Sequence, residues 1–207
     1  MSRSQKTIIS SRAFTLVELL VSIGIFALMT ALIVVKYGNF NNSILLTNLA
    51  YDVAGTVRTA QTYGLSVRST SAGVLPSAYG VYFNRSDSTG SACTPPNPSQ
   101  YILFADNGTI PGVCDIGDTV ISTFTLRNGA RYELLVDESD PAPLNSLTIY
   151  FRRPDPEAAF GYQCEMNHNC VSGLNAGGNN VTVVIRAPDN SARSVMVRKN
   201  GQISVIE

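Results

Sequence analysis

An uninterrupted apolar run near the start of the chain constrains the fold more than any other feature. It extends from Phe14 to Val35, and its one charged residue is Glu18. A helix of these 22 residues spans about 33 Å, enough to cross a bilayer hydrocarbon core of roughly 30 Å. The apolar region of a secretory signal peptide is shorter, about 7 to 15 residues. The run therefore predicts a membrane-spanning helix that ordinary signal-peptide cleavage does not remove.

The charges lie unevenly around this run. Arg3, Lys6 and Arg12 precede it without any acid, whereas the other 12 of the 15 basic residues are outnumbered by 15 acidic ones. A basic leader favours the cytoplasmic side, so we expect the residues after the run to be exported. The whole chain has a formal net charge of zero, which gives no general bias towards nucleic acid. Its 207 residues suffice for this anchor and one further domain.

Four cysteines lie beyond the apolar run. An even number of cysteines in an exported region indicates disulfides. Three pairings are open from sequence alone. We favour neighbours in chain order, Cys93 with Cys114 and Cys164 with Cys170, because each pair closes a compact loop.

Two patterns of secondary structure follow the apolar run. Leucine and valine recur every four residues between Leu45 and Val57, which is typical of an amphipathic helix. We expect one long helix from Phe14 to about Arg68, either loosened or broken between Gly38 and Asn42. From Gly80 onward, β-branched and aromatic runs alternate with turn residues, which is typical of antiparallel strands. The runs are YGVYF, QYILFA, TVISTFTL, RYELLV, SLTIYF, NVTVVIRA, RSVMVR and QISVIE.

These patterns predict an α+β fold, with a long N-terminal helix packed on an antiparallel β domain. The expected divisions are a leader at 1–13, a membrane and assembly helix at 14–35, its amphipathic continuation at 36–68 and an exported β-rich domain at 69–207. Turn chemistry is clearest at Asn200–Gly201, which predicts a two-residue hairpin.

The stretch AFTLVELLVSIGIFALMTALIVV after a short basic leader resembles the N-terminus of type IV prepilins and of the pseudopilins of type II secretion systems. In that family, an aspartyl prepilin peptidase cuts on the cytoplasmic face and methylates the new N-terminus. The resemblance implies cleavage between Ala13 and Phe14 and N-methylation of Phe14. The family usually has glycine before the cut, where this chain has Ala13.

The same resemblance implies a role in assembly for Glu18. The fifth residue of the mature chain in this family is a glutamate that meets the N-terminal amine of a neighbouring subunit. A buried amine and a buried carboxylate are each costly alone and compensate one another as a pair. A lone interfacial acid on a plain membrane anchor is the alternative interpretation.

The order of the later segments resembles the minor pilins and pseudopilins of the GspH and FimT type. The segments concerned are LAYDVAGTVRTAQTYGLSVR, YILFADNG and SVMVRKNGQISVIE. The resemblance implies a pilin-like fold and a structural subunit that waits in the inner membrane and then joins a periplasmic or extracellular filament. It implies as partners other pilin subunits, prepilin peptidase, an assembly platform protein, an ATPase and inner-membrane lipid. The alternatives are an adhesive or DNA-capturing subunit, a major pilin, and an anchored periplasmic protein unrelated to filaments.

The residues do not form a recognisable catalytic motif, so we expect no enzyme, no cofactor and no metal site. His168 lies between Cys164 and Cys170, but a zinc site needs three or four such ligands. Asp115 and Asp118, with the acids of 137–140, are candidate calcium ligands, although a solvated acidic turn is the favoured interpretation.

Nucleic acid is not a favoured partner. Some FimT-like minor pilins bind DNA through a Gly-Arg-x-Arg element near the C-terminus, and the corresponding stretch here, Gly201 to Val205, contains no arginine. Six other basic residues are candidates for a basic face towards nucleic acid or a neighbouring subunit, and scattered solvated charges are the favoured alternative. They are Arg152, Arg153, Arg186, Arg193, Arg198 and Lys199.

Overall fold

A long helix, α1, extends from Leu16 to Leu65. Thr15 caps its first turn, because the Thr15 hydroxyl accepts a hydrogen bond from the Glu18 backbone N–H at 3.2 Å. The residues between Gly38 and Asn42 are helical, so the predicted alternative of a break is wrong. The helix ends three residues before Arg68, the end expected from the sequence.

The computed structural model describes residues 14–66, 68–70, 73, 75–85, 93, 99–108, 112, 114–115, 117–136, 144–164, 173–174 and 178–206. The chain divides into two compact units, residues 1–41 and 42–207. Only the second half of α1 belongs to the second unit, which we call the β domain.

Strands make up most of the β domain. They are β1 (Ala78–Asn84), β2 (Gln100–Asp106), β3 (Thr119–Thr125), β4 (Arg131–Val136), β5 (Leu144–Arg152), β6 (Ala158–Cys164), β7 (Gly173–Leu174), β8 (Asn180–Arg186), β9 (Ala192–Arg198) and β10 (Ile203–Ile206). They form a six-stranded sheet in the order β3-β2-β1-β5-β6-β7 and a four-stranded sheet in the order β10-β9-β8-β4. All the pairings are antiparallel, so the predicted α+β fold with an antiparallel β domain is confirmed.

The core of the β domain lies between α1 and the two sheets. Leu49, Val53 and Val57 of α1 are at most 5% exposed, as the four-residue spacing predicted. At the start of the spacing, Leu46 is the fully buried residue and the predicted Leu45 is only partly buried. Full burial of such a side chain contributes roughly 1.5 to 3 kcal/mol. The helix approaches β5 closely, since a Cβ on Gly64 would lie 2.6 Å from the Phe151 carbonyl oxygen. A side chain at Gly64 would therefore push the helix off the sheet.

The two sheets are joined by a turn and by one buried hydroxyl. Asn128 and Gly129 both have positive φ, 56° and 70°, in the turn that takes the chain from β3 in one sheet to β4 in the other. The Tyr132 hydroxyl on β4 accepts a hydrogen bond from the Asn84 N–H at 3.0 Å. The same hydroxyl lies 2.7 Å from the Asn84 carbonyl oxygen and 2.8 Å from that of Gln100, to which it donates.

The β domain has two distinct ends along its strands. At the entry end, which contains the first residue of the domain, the Asn42 side chain donates to the Asp189 carboxylate at 2.9 Å. At the far end, the Gln61 side chain donates to the Pro156 and Gly201 carbonyl oxygens at 3.3 and 3.2 Å. The far end also holds the β9–β10 hairpin, in which Arg198 N–H donates to Gln202 O across three residues rather than the two predicted.

The Tyr132 hydroxyl provides a test of how the sheets are held together. We expect Tyr132→Phe to lower the free energy of unfolding by about 1 to 3 kcal/mol, because buried backbone groups of β1 and β2 lose a partner. Tyr51→Phe is the control, since Tyr51 is 60% exposed, and it should change stability by less than about 0.5 kcal/mol. Denaturant unfolding of the full chain in detergent measures both. Equal effects would contradict the proposed link between the sheets.

Candidate functional site

The N-terminal segment combines a helix cap with the single acid of the apolar run. Phe14 is 79% exposed, and the Thr15 hydroxyl donates to the Glu18 carboxylate at 3.4 Å. The Glu18 N–H bond to Thr15 is the first half of a capping box, and the Glu18 carboxylate bonds the Thr15 hydroxyl where a full box uses the Thr15 backbone N–H. Thr15 is not among the predicted site residues, although the spacing T-x-x-E is the signal for such a cap. Ala13 and the leader lie outside the described residues.

The first part of α1 meets the requirements of a bilayer. Leu16–Val34 is long and apolar enough to cross a membrane, and it is unburied throughout. Its two hydroxyl side chains are satisfied within the helix, because Ser22 donates to the Glu18 carbonyl oxygen and Thr30 to that of Phe26, each at 2.7 Å. A group without a partner in hydrocarbon is costly. Glu18 is therefore the one polar side chain of this segment that is suited to an external partner.

A disulfide joins the segments on either side of β2. The structure bonds Cys93 to Cys114, with 5.6 Å between their Cα atoms. Both cysteines are buried, and they pack with Ile102 and Phe104 in a second apolar cluster. Cys164 is the last residue of β6, but its side chain and the whole of Cys170 lie outside the described part of the chain. The Cys164–Cys170 pair stays a prediction.

Asp118 organises the loop next to this disulfide. Its carboxylate accepts hydrogen bonds at 2.9 Å from the backbone N–H groups of Asn107, Gly108 and Asp115. Burial raises the pKa of the Asp118 carboxyl above its usual value, and these hydrogen bonds oppose the rise. Both carboxylate oxygens thus accept hydrogen bonds that stabilise the loop. This structural role is a sufficient reason for an acid at position 118, without a calcium ion.

The cysteines and the aspartate beside this loop do not form a metal centre. Cys93, Cys114 and Asp118 bring ligand atoms within 4.8 Å of one another, but the two sulfurs are bonded to each other and are not available as thiolates. Metal binding to cysteine requires the thiolate. The other proposed calcium ligands, at 137–140, and His168 lie outside the described residues.

The entry end of the β domain carries a cavity of about 690 Å³ lined by Arg85, Arg131 and Arg186. The Arg186 guanidinium binds Glu133 through two hydrogen bonds of 3.1 and 3.0 Å, and it also donates to the Asn190 carbonyl oxygen at 3.3 Å. This pairing lowers the pKa of the Glu133 carboxyl. Arg186 is among the basic residues named from the sequence, whereas Arg85 and Arg131 are not. The three arginines are far apart in the sequence, so no local pattern indicates that they lie together.

The six basic residues named from the sequence do not form one face. Arg186 and Arg193 lie at the entry end, where the Arg193 guanidinium is 3.5 Å from the Ser43 hydroxyl. The other four lie at the far end: Arg152, Arg153, Arg198 and Lys199. Arg153 is used within the fold, since it donates to the Pro76 and Ser66 carbonyl oxygens at 2.9 and 3.2 Å.

A second cavity of about 720 Å³ runs between α1 and β3. Tyr101 and Phe124 line it and stack with their ring centroids 5.1 Å apart. Burial raises the pKa of Tyr101 to about 12. Among the described lining residues, Asp52 and Arg127 are the charged groups, and no nucleophile is paired with a base.

Comparison with known proteins identifies the N-terminal segment. Residues 9–34 match the family model described as the prokaryotic N-terminal methylation motif. The chain thus carries a prepilin-type methylation motif, consistent with the type IV pilin and pseudopilin family that its N-terminal residues resemble. Searches of curated proteins and of solved structures each found no match.

The motif and the helix that follows it indicate how the N-terminal segment is processed and where it lies. The motif indicates a type IV pilin-like substrate of prepilin peptidase and implies assembly with other pilin subunits. With the apolar helix that follows it, the motif suggests membrane anchoring. A pilin-type motif also suggests a structural subunit rather than an enzyme.

The Cys93–Cys114 disulfide makes a measurable prediction. Replacing both cysteines by alanine should lower the free energy of unfolding by about 3 kcal/mol, because the bridge closes a loop of 21 residues in the unfolded chain. Denaturant unfolding of the two full chains under oxidising conditions measures the difference. Adding a reductant separates this pair from any other, since the double variant should respond less than the wild type. Equal stability of the two oxidised chains would contradict a stabilising role.

Proposed function

We propose that the chain is a structural subunit, a minor pilin or pseudopilin of the GspH and FimT type, of a type IV pilus or a type II secretion pseudopilus. The prepilin-type motif at residues 9–34 carries the proposal. A long helix followed by an antiparallel β domain supports it. Prepilin peptidase removes the leader at 1–13 by cutting between Ala13 and Phe14, and the new amine of Phe14 is methylated.

The subunit waits as a single-pass protein of the inner membrane. Residues 14–35 cross the bilayer, residues 36–68 continue the helix, and the exported domain at 69–207 lies on the far side from the cytoplasm. The absence of ionisable side chains other than Glu18 between Leu16 and Val34 supports this topology. An assembly platform protein and an ATPase then drive extraction of the subunit into a periplasmic or extracellular filament.

Glu18 sets the register between subunits in this proposal. Cleavage creates an amine four residues before Glu18, and the Glu18 carboxylate of one subunit binds the Phe14 amine of its neighbour. Within one chain, the carboxylate has a single described hydrogen-bond donor, the Thr15 hydroxyl at 3.4 Å. An ionised group in the middle of a membrane helix costs about 2.5 to 3.5 kcal/mol. Glu18 lies near the helix end, where this cost is smaller, and a cationic partner still favours the paired register over lipid exposure.

An adhesive or DNA-capturing pilus subunit is the alternative, and the arginine-lined cavity at the entry end is the feature that favours it. A major pilin would carry the same N-terminal motif. Tight, salt-sensitive binding of DNA in a titration would favour the DNA-capturing role, because phosphate contacts weaken as salt rises.

Two variants separate the charge of Glu18 from its role in the helix cap. Glu18→Gln keeps a side chain that can complete a capping box but has no charge, whereas Glu18→Ala removes both. If the charge sets the register, both variants should enter the membrane normally and be incorporated into filaments at least about tenfold less than the wild type. The measurement is the ratio of subunit in sheared filaments to subunit in membranes of the native host.

Thr15→Ala is the matched control, because it removes the cap and keeps the charge. It should be incorporated at close to the wild-type level. Normal incorporation of Glu18→Gln, with a defect in both Glu18→Ala and Thr15→Ala, would show that the cap matters and the charge does not. That result would contradict the register role.

A further inference from the structure

Five arginines from different parts of the sequence meet at the entry end of the β domain. One follows β1, two flank the turn between β3 and β4, one ends β8 and one lies in β9. They are Arg85, Arg127, Arg131, Arg186 and Arg193. Strand pairing fixes this arrangement, since Arg131 lies opposite Arg186 and Arg186 lies opposite Ala192. The described acids next to these arginines are Glu133, Asp189 and Asp52, the last of which lines the same cavity as Arg127, so two excess positive charges remain among the described residues.

Glu133 and Asp189 already have hydrogen-bond partners. Glu133 accepts the two hydrogen bonds from Arg186. Asp189 accepts from the Asn42 side chain at 2.9 Å and from the Ser191 N–H at 3.0 Å. In contrast, Arg127 and Arg131 are exposed, and their side chains make no hydrogen bond or ion pair within the part of the chain that the structure describes. Their guanidinium groups are available to an external anion.

The covalent chain keeps this end near the membrane surface. Asn42, at the entry end, is only eight residues beyond Val34, the last residue of the membrane-crossing segment. Eight residues span about 12 Å as a helix and at most roughly 28 Å when fully extended. The headgroup region occupies about 5 to 8 Å on each side of the hydrocarbon core. The connecting residues therefore set an upper limit on the distance between the entry end and the headgroups.

We propose that the entry end of the β domain docks on the phosphate groups of anionic lipid headgroups. Guanidinium groups bind phosphate oxygens through paired hydrogen bonds, and a cluster of them is attracted to an anionic surface within a Debye length of about 8 Å. Lipid is the favoured ligand of the entry end, because the membrane-crossing segment keeps lipid headgroups within reach of these arginines. The inference depends on membrane anchoring and is independent of the role in a filament.

Docking would also give the exported domain a preferred position before assembly. The basic residues of the far end, such as Arg152 and Lys199, are separated from the entry end by strands of seven to nine residues, about 23 to 30 Å. They therefore remain outside the range of the headgroup charge. Only the entry end would contact the membrane, so the far end would stay accessible to other subunits.

Hydrogen exchange of the full chain in lipid nanodiscs tests this proposal. One set of nanodiscs contains phosphatidylcholine alone, and the other contains phosphatidylcholine with phosphatidylglycerol. We expect slower exchange in the entry-end turns at 127–130 and 187–191 in the anionic nanodiscs only, and loss of this protection as salt rises. The far-end turn at 199–201 should exchange equally in both. Insertion into the two sets is measured separately, so that a failure of anchoring is distinguished from a failure of docking.

A variant pair identifies the residues responsible. Arg127→Gln with Arg131→Gln should remove most of the added protection, because each basic side chain near an anionic surface is worth about fivefold in binding. Arg152→Gln with Lys199→Gln, at the far end, is the matched control and should keep it. Equal protection in neutral nanodiscs would overturn the proposal. A second result would also overturn it: no added protection in the anionic nanodiscs, but protection in neutral nanodiscs once inorganic phosphate or a short DNA duplex is added.

Discussion

The exclusion of water from helix α1 is the constraint on which the rest of the structure depends. Its first part, Leu16–Val34, is apolar on every side, as lipid requires of a helix it surrounds. Its second part is apolar on one face only, where Leu46, Val53 and Val57 are covered by the two sheets. The composition of the helix thus changes between a part suited to a bilayer and a part covered by the sheets.

Much of the β domain could be predicted because alternation of apolar and polar residues is local information. All eight predicted strands exist, but β6 and the two-residue β7 were missed. The sequence of β6, AAFGYQC, contains small residues and a glycine in place of β-branched ones. The division into two sheets was not predicted either. It depends on the turn at Asn128–Gly129, whose sequence looks like a hairpin turn, while long-range pairing places β3 and β4 in different sheets.

The two parts of the candidate site differ in the same way. The methylation motif consists of consecutive residues, so the motif and the position of Glu18 within it can be recognised in the amino-acid sequence alone. The basic entry end is assembled from Arg85, Arg131 and Arg186, which are neighbours only after β4 has paired with β8 and their sheet has packed against the sheet that contains β1. No sequence spacing indicates such a cluster. The role of Asp118 was also hidden, because its partners are backbone groups that the loop positions.

The most direct test of the account is the N-terminal mass of the mature protein recovered from membranes of its native host. A chain that begins at N-methylated Phe14 is the predicted result, because it requires both the cut after Ala13 and the modification that defines the motif. A chain that still begins at Met1 or Ser2, in cells with active prepilin peptidase, would contradict the account and leave a simple membrane anchor.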